Sequence, residues 1–317
     1  MVKYKDIIAD CMERYLALDN KAIILGVGVT DHKGIFGTTL LANEKFPNRV
    51  IETPLSEFAL TGACVGMALE GVRPILVHAR SDFLTLSAEH IINTAAKWND
   101  SHQTDRMKHV VIRSIIGRGW GQGPQHSQNL ARMFQGIPGI EVHIPVNDAG
   151  YQRALDPYKP ITIILEPRRL YDEEIPPLKY MSNVDALLLT YGDILLDALQ
   201  VQKQMKAWHP GINVRVVPIQ NISSQVLGVE HNQPRGIIFC ESVPRSLSLN
   251  PELALQALNA GIPFERVNAP HSSIPTSEFL EERWYPGPQA IMDALTRILG
   301  IDHIDADQRQ NTFTGPF

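Results

Sequence analysis

Short apolar runs alternate with longer segments of helical period along most of the chain. AIILGVGV at 22–29 is a continuous apolar run, as a strand covered on both faces carries. HKGIFGTTLL at 32–41 reads as a loop, and RVIE at 49–52 as a second strand. A helix is predicted from Ser56 to about Leu69, with Thr53-Pro54 ahead of it and Gly71 behind. Gly62 and Gly66 stand four apart on it, with Ala59 and Ala63 nearby, a face that lets another backbone come close. PILVHA (74–79) is the next strand, LSAEHIINTAAKWND (86–100) a helix, and HVVIRSII (109–116) a strand. After a glycine-rich loop come a helix at 127–134 and strands at 141–145 and 161–166. This alternation predicts an α/β unit with a mainly parallel sheet.

The segment DEEIPPLKYMSNV at 172–184 is rich in proline and charge and reads as a boundary. A second α/β unit follows: strands at 185–193, 213–219, 236–242 and 264–269, helices at 194–208, 251–261 and 287–300. The expected division is 1–175, a linker at 176–183, a second domain at 184–300, and a polar tail at 301–317 that runs loose or lies as an arm over a neighbour.

Composition narrows the class. The 317 residues are 44% hydrophobic with a net charge of -5 and both signs dispersed. No basic patch interleaves with aromatics, so nucleic acid is not an expected partner. Cys11, Cys64 and Cys240 form no C-x-x-C, which argues against disulfides and zinc and for a reducing, cytoplasmic setting. The N-terminal stretch reads as an amphipathic helix rather than a signal peptide, and no apolar run is long enough to span a membrane.

Common catalytic signatures are absent: no G-x-x-x-x-G-K-[ST], no H-E-x-x-H, and no G-x-S-x-G after a strand. The glycines of GRGWGQGPQHS do not fit G-x-G-x-x-G, and alone they suit a flexible turn. Three other features are in register. Glu57 in ETPLSE, Phe83 in RSDF and His126 in GPQHSQ each follow a predicted strand, so all three converge on the carboxyl edge of one sheet, where ligands collect in open α/β folds. Each also has a plain alternative: a helix-start anion for Glu57, ordinary core for Phe83, a hydrogen-bonded loop histidine for His126.

Together these residues carry a resemblance. ETPLSE, GVRP, SDF and GPQHSQ, at intervals of 26 residues from Glu57 to Phe83 and 69 from Glu57 to His126, resemble the β subunit of the thiamine-diphosphate-dependent first component of 2-oxo acid dehydrogenases. Pyruvate, branched-chain and acetoin dehydrogenases belong to that group, and transketolase is a more distant relative. VDALLLTYGDILLDAL, GIIFCESVPRS and IPTSEFLEERWYPGPQAIMDAL resemble the family's C-terminal domain, so the likeness covers nearly all of the chain before residue 300. It implies a thiamine-diphosphate-binding, pyrimidine-type doubly wound domain followed by a transketolase C-terminal-type α/β domain. It implies further that Glu57 hydrogen-bonds N1′ of the aminopyrimidine, that Phe83 stacks on that ring, and that Leu55 lines it. His126 would sit beside C2 to bind a substrate carboxylate or move protons. Burial of Glu57 among Leu55, Phe58 and Leu60 would suit an acid that shares a proton with a weakly basic ring, because desolvation disfavours the carboxylate.

The family holds the diphosphate through a divalent metal at a GDG motif, which this chain lacks; Tyr191-Gly192-Asp193 is nearest, and Ile194 follows it. The resemblance therefore implies an α-type partner carrying Mg²⁺ in an α2β2 assembly, with a lipoyl acyltransferase core as a further partner. Two departures stand out. Val27 occupies the place of an acid in Gly26-Val27-Gly28, and His78-Ala79-Arg80-Ser81 replaces a mostly apolar or aromatic segment. Arg80 is either solvated, paired with an acid, or turned to the substrate to select an anionic or polyhydroxy ketone; His78 reads as a satisfied strand histidine. Trp120 either caps the glycine-rich loop or lines the substrate entrance, and in relatives the carbonyls of this loop are placed to hold a monovalent cation. Two alternatives stay open: the C-terminal half of a split transketolase-like enzyme transferring a two-carbon ketol unit, and a non-catalytic scaffold.

Overall fold

The apolar runs become parallel strands in a computed structural model that describes residues 2–117, 121–156, 159–178, 183–223, 225, 227 and 233–307. Two compact units result, one built on 1–117 and 125–175, the other on 118–124 and 176–316.

In the first unit, α1 (Tyr4–Leu18) buries Tyr4, Ile8, Cys11, Met12, Tyr15 and Leu16, a stripe of helical period. Strand β1 (Ala22–Gly26) is shorter than the predicted 22–29. Gly26 turns the chain out at φ 155°, and a Cβ there would lie 2.6 Å from the Val77 carbonyl oxygen, so only glycine fits. Helix α2 (Leu40–Lys45) occupies the end of the predicted loop. Then come β2 (Val50–Glu52), α3 (Glu57–Leu69) and β3 (Arg73–His78).

The helix expected at 86–100 is broken into a 3₁₀ segment (Ser81–Ser87), a π-helical stretch (His90–Ala95) and α4 (Trp98–His102). Contacts with α3 set this geometry: Ser87 is bonded to Thr61, and the His90 ring lies 4.2 Å from that of Phe58. Strand β4 (Val110–Ile116) is wholly buried. Helix α5 is confined to Ala131–Phe134, short of the expected 127–134, because Gln128 is held by side chains of the 81–82 segment. Strand β5 (Ile140–His143), α6 (Asp148–Leu155, capped by Asn147 on the Gly150 amide) and β6 (Ile161–Pro167) complete the unit. Strand order is β2-β1-β3-β4-β6-β5, all parallel, so every carboxyl end lies on one edge.

A charged cluster lies inside this sheet's packing. Arg113 of β4 and Glu166 of β6 are both buried, with Nε 2.7 Å from Oε1 and Nη2 3.0 Å from Oε2. Tyr151 and Tyr171 donate to the same carboxylate, and Arg113 also donates to Thr38.

The second unit has β7 (Ala186–Thr190), α7 (Ile194–Trp208), β8 (Val214–Pro218), β9 (Gly236–Pro244), α8 (Pro251–Asn259), β10 (Phe264–Ala269), α9 (Glu278–Trp284) and α10 (Pro288–Leu299). Its parallel sheet runs β10-β9-β7-β8. Helix α9, absent from the sequence reading, places buried Glu281 so that its Oε2 accepts from the Gly121 amide at 2.6 Å. The tail does not run loose over its described part: Gln204 and Gln200 of α7 donate to the carbonyls of Asp305 and Asp307, and Gln289 of α10 to that of Ile304. The remainder of the tail and Trp120 lie outside the described residues. All three cysteines are free and buried. Burial pushes the thiols of Cys11 and Cys64 up to about 11 and about 12, and that of Cys240 upward as well.

Candidate functional site

Three connections leave the carboxyl edge of the first sheet carrying the residues singled out from the sequence. Glu57 opens α3 after β2, Phe83 lies in the 3₁₀ segment after β3, and His126 lies in the loop after β4. Phe83 and His126 meet: their ring centroids are 5.7 Å apart and the planes are perpendicular, an edge-to-face pair. Both side chains are half-buried, leaving ring surface accessible.

Side-chain bonds lace the three connections together. The Thr61 hydroxyl donates to the Glu57 carbonyl oxygen (2.7 Å) and shares a 2.9 Å hydrogen bond with Ser87, which ties the first turn of α3 to the segment bearing Phe83. The Ser81 hydroxyl donates to the Gln128 carbonyl oxygen (2.6 Å), and Asp82 Oδ1 accepts from Gln128 Nε2 (2.8 Å), which ties that segment to the loop bearing His126. None of Thr61, Ser81, Asp82, Ser87 or Gln128 was chosen from the sequence as a site residue. The available signal was their position: small polar residues close behind apolar strands, where buried hydroxyls and amides must find partners.

Two expectations need correction. Glu57 is only half-buried, and its apolar company points outward: Leu55 is 72% and Phe58 52% exposed. At the open start of α3, beyond the sheet edge, Phe58 rests against the His90 ring at 4.2 Å with half its surface still exposed, and Leu55 stands largely uncovered among the described residues. The desolvation expected around Glu57 is thus not supplied by its own neighbours. His78, in turn, is not a satisfied strand histidine. It is buried in the last position of β3, neither ring nitrogen has a hydrogen-bond partner among the described residues, and burial pushes its pKa down to about 4.

Arg80 is 8% exposed, so the solvated reading of it does not hold; its carbonyl accepts from the Phe83 amide at 3.1 Å and shapes the turn. Val27 is 38% exposed beyond β1. A carboxylate does stand at this strand exit, from the neighbouring strand: Glu52 accepts from the Gly28 amide (2.5 Å) and from the Thr30 amide and hydroxyl (both 3.0 Å). It pins the chain just before Leu55 and Glu57. On α3, Gly66 is open, whereas a Cβ on Gly62 would lie 2.9 Å from His90 Nε2.

The arrangement offers an accessible carboxylate, a half-exposed aromatic ring and an imidazole on one sheet edge, bordered by uncovered apolar side chains. This donor set suits a flat nitrogen heterocycle with a ring nitrogen to bond and a face to cover.

Comparison with known proteins agrees on the fold. Residues 1–173 match the transketolase pyrimidine binding domain. The chain is 30% identical over 307 residues to the acetoin:2,6-dichlorophenolindophenol oxidoreductase subunit beta of Cupriavidus necator, covering 87% of this chain and 89% of that one. It is 24% identical to the mitochondrial pyruvate dehydrogenase E1 component subunit beta of Saccharomyces cerevisiae, covering 94% and 89%. Among solved structures, the inactive beta4 tetramer of a split-gene transketolase superposes with a TM-score of 0.67 at 16% identity, covering 95% of this chain and 99% of that one.

Proposed function

The chain belongs to the transketolase pyrimidine-binding family, and from that premise we propose that it is the β subunit of a heteromeric thiamine-diphosphate enzyme that decarboxylates a 2-oxo acid and transfers the acyl unit. The observation that carries this reading is the edge-to-face pair of Phe83 and His126 laced to the first turn of α3, where Glu57 stands.

The residues fit the aminopyrimidine half of the coenzyme. Thiamine diphosphate supplies, when bound, a carbon nucleophile at C2 of its thiazolium ring. Glu57 would hold a proton at N1′ of the aminopyrimidine, Phe83 and Leu55 would cover the ring, and His126 would bind the substrate carboxylate or move a proton beside the reacting carbon. Buried Arg80 adds a positive charge that favours an anionic substrate. The exposed Leu55 and Phe58 are covered by an α-type subunit, which holds the diphosphate through Mg²⁺ in an α2β2 assembly. Covering them also excludes water around Glu57. A lipoyl acyltransferase then takes the acyl unit, in the cytoplasm.

Co-purification with the α-type partner, followed by turnover with pyruvate, branched-chain 2-oxo acids and ketose phosphates, tests this. Turnover of a 2-oxo acid is expected, and Glu57→Ala is expected to abolish proton exchange at C2 while the assembly persists. Turnover of ketose phosphates alone would replace the reading with two-carbon ketol transfer. No turnover, together with normal C2 exchange in the Glu57 variant, would leave a scaffold.

A further inference from the structure

We propose that Ser81 and Asp82 form a clamp on Gln128 whose task is to position the His126 imidazole edge-on to Phe83. The clamp joins two loops that leave neighbouring strands, β3 and β4, in register at His78 and Ser114. It uses three side-chain bonds: Ser81 Oγ to the Gln128 carbonyl oxygen at 2.6 Å, and Gln128 Nε2 and amide to Asp82 Oδ1 at 2.8 and 3.4 Å. Ser81 is fully buried and Asp82 is 7% exposed, so the anchoring side is shielded from competing water. Gln128 is two residues from His126, close enough that fixing its backbone and side chain fixes the direction in which the imidazole leaves the loop.

Stability alone does not account for the acid at position 82. Its Oδ2 is buried without a hydrogen-bond partner among the described residues, an unfavourable arrangement for a carboxylate. A purely structural site would do as well or better with an apolar residue of similar size. A positioning site needs an oxygen aimed at Gln128, and Asp82 supplies it. Misplacement of an acid–base group by about 1 Å costs on the order of a hundredfold in rate. The catalytic weight of the clamp rests on the function proposed above; its geometry does not.

The test therefore has two arms. In the full chain labelled with ¹⁵N-histidine, long-range N–H spectra are recorded against pH, with His126 assigned from His126→Gln. Asp82→Ala and Gln128→Ala are expected to shift the His126 ring signals towards those of an exposed imidazole. Asp82→Asn, which keeps an acceptor oxygen, retains most of the native signature. Unchanged His126 signals in both alanine variants would overturn the clamp. If Asp82→Ala fails to fold, Gln128→Ala and Ser81→Ala decide the point in its place. In the complex with the α-type partner, kcat for the 2-oxo acid falls by about tenfold or more in Gln128→Ala while KM changes far less. A changed spectrum with unchanged kcat supports the clamp and overturns the role given to His126.

Discussion

Arg113 Nε lies 2.7 Å from Glu166 Oε1, and neither side chain reaches solvent. The carboxylate is also the acceptor for Tyr151 and Tyr171, so four residues from β4, β6, α6 and the chain after β6 converge on one buried charge pair. Such pairs contribute little when compared with a well-packed apolar core, yet removing one partner leaves the other charge stranded. Arg113→Met and Glu166→Gln are each expected to cost about 3–5 kcal/mol, read as a fall in the urea midpoint. Tyr171→Phe, which removes one donor, costs about 1 kcal/mol. A loss under about 1 kcal/mol in Arg113→Met would mean that the pair is not buried in the assembled protein.

Acid stability has a defined sign. Burial lowers the pKa of His78 from 6.5 to about 4 and that of His109 to about 3. The folded chain keeps both rings neutral while the unfolded chain takes up protons below about 6.5. Between those values the unfolded state binds more protons, so stability is full above the unfolded pKa and is lost as pH falls through the window. For His78 alone the loss approaches about 3 kcal/mol by pH 4. Urea unfolding at pH 7 and pH 5 checks this: His78→Phe should flatten the dependence, and an equally steep fall in that variant would remove His78 from the account.

Gly139 has a φ of +89°, and a Cβ there would lie 2.2 Å from the Ala96 carbonyl oxygen. Gly139→Ala therefore combines a left-handed backbone with a clash against main chain, and about 3 kcal/mol of destabilisation is expected. Gly136, with a φ of +82° and open space around it, should lose less on the same change. Thermal or urea midpoints that rank the two the other way would contradict the packing at Ala96.

At the site, Phe83→Ala is expected to weaken thiamine diphosphate binding by roughly tenfold, the scale of a lost aromatic contact, with a smaller effect on saturated turnover. His126→Ala should lower turnover by about 10²–10⁴ while cofactor affinity holds. Titration of the cofactor into the complex, beside kcat at saturation, separates the two. Equal losses in both quantities for His126→Ala would make that residue a binding group only.

The strands were the most legible part of the chain. AIILG, VVIRSII and ITIILE announce themselves because strands buried on both faces need uninterrupted apolar side chains. Helix α7 falls on the predicted 194–208, a stretch with no breaker inside it and a Tyr-Gly-Asp turn before it. The segment 86–100 misled because its helical period is real but its geometry is decided by contacts with Phe58 and Thr61, which no local pattern contains. The same limit applies at the site. Phe83 and His126 could be picked out from their motifs, while their 5.7 Å contact depends on bonds between residues 47 and 46 positions apart, Ser81 and Asp82 to Gln128. The exposure of Leu55 and Phe58 was illegible for a different reason: an apolar residue left on the surface reads in sequence like one bound for the chain's own core.

The cysteines open an experimental route. Thiolate is the species that maleimides and disulfide reagents attack, and Cys11, Cys64 and Cys240 are all sequestered with their thiols held protonated. The native chain is therefore a nearly silent background for labelling. A single cysteine placed at Leu55 would become the reactive handle, and a short photo-crosslinker hung from it would report, by mass, which polypeptide closes over the start of α3.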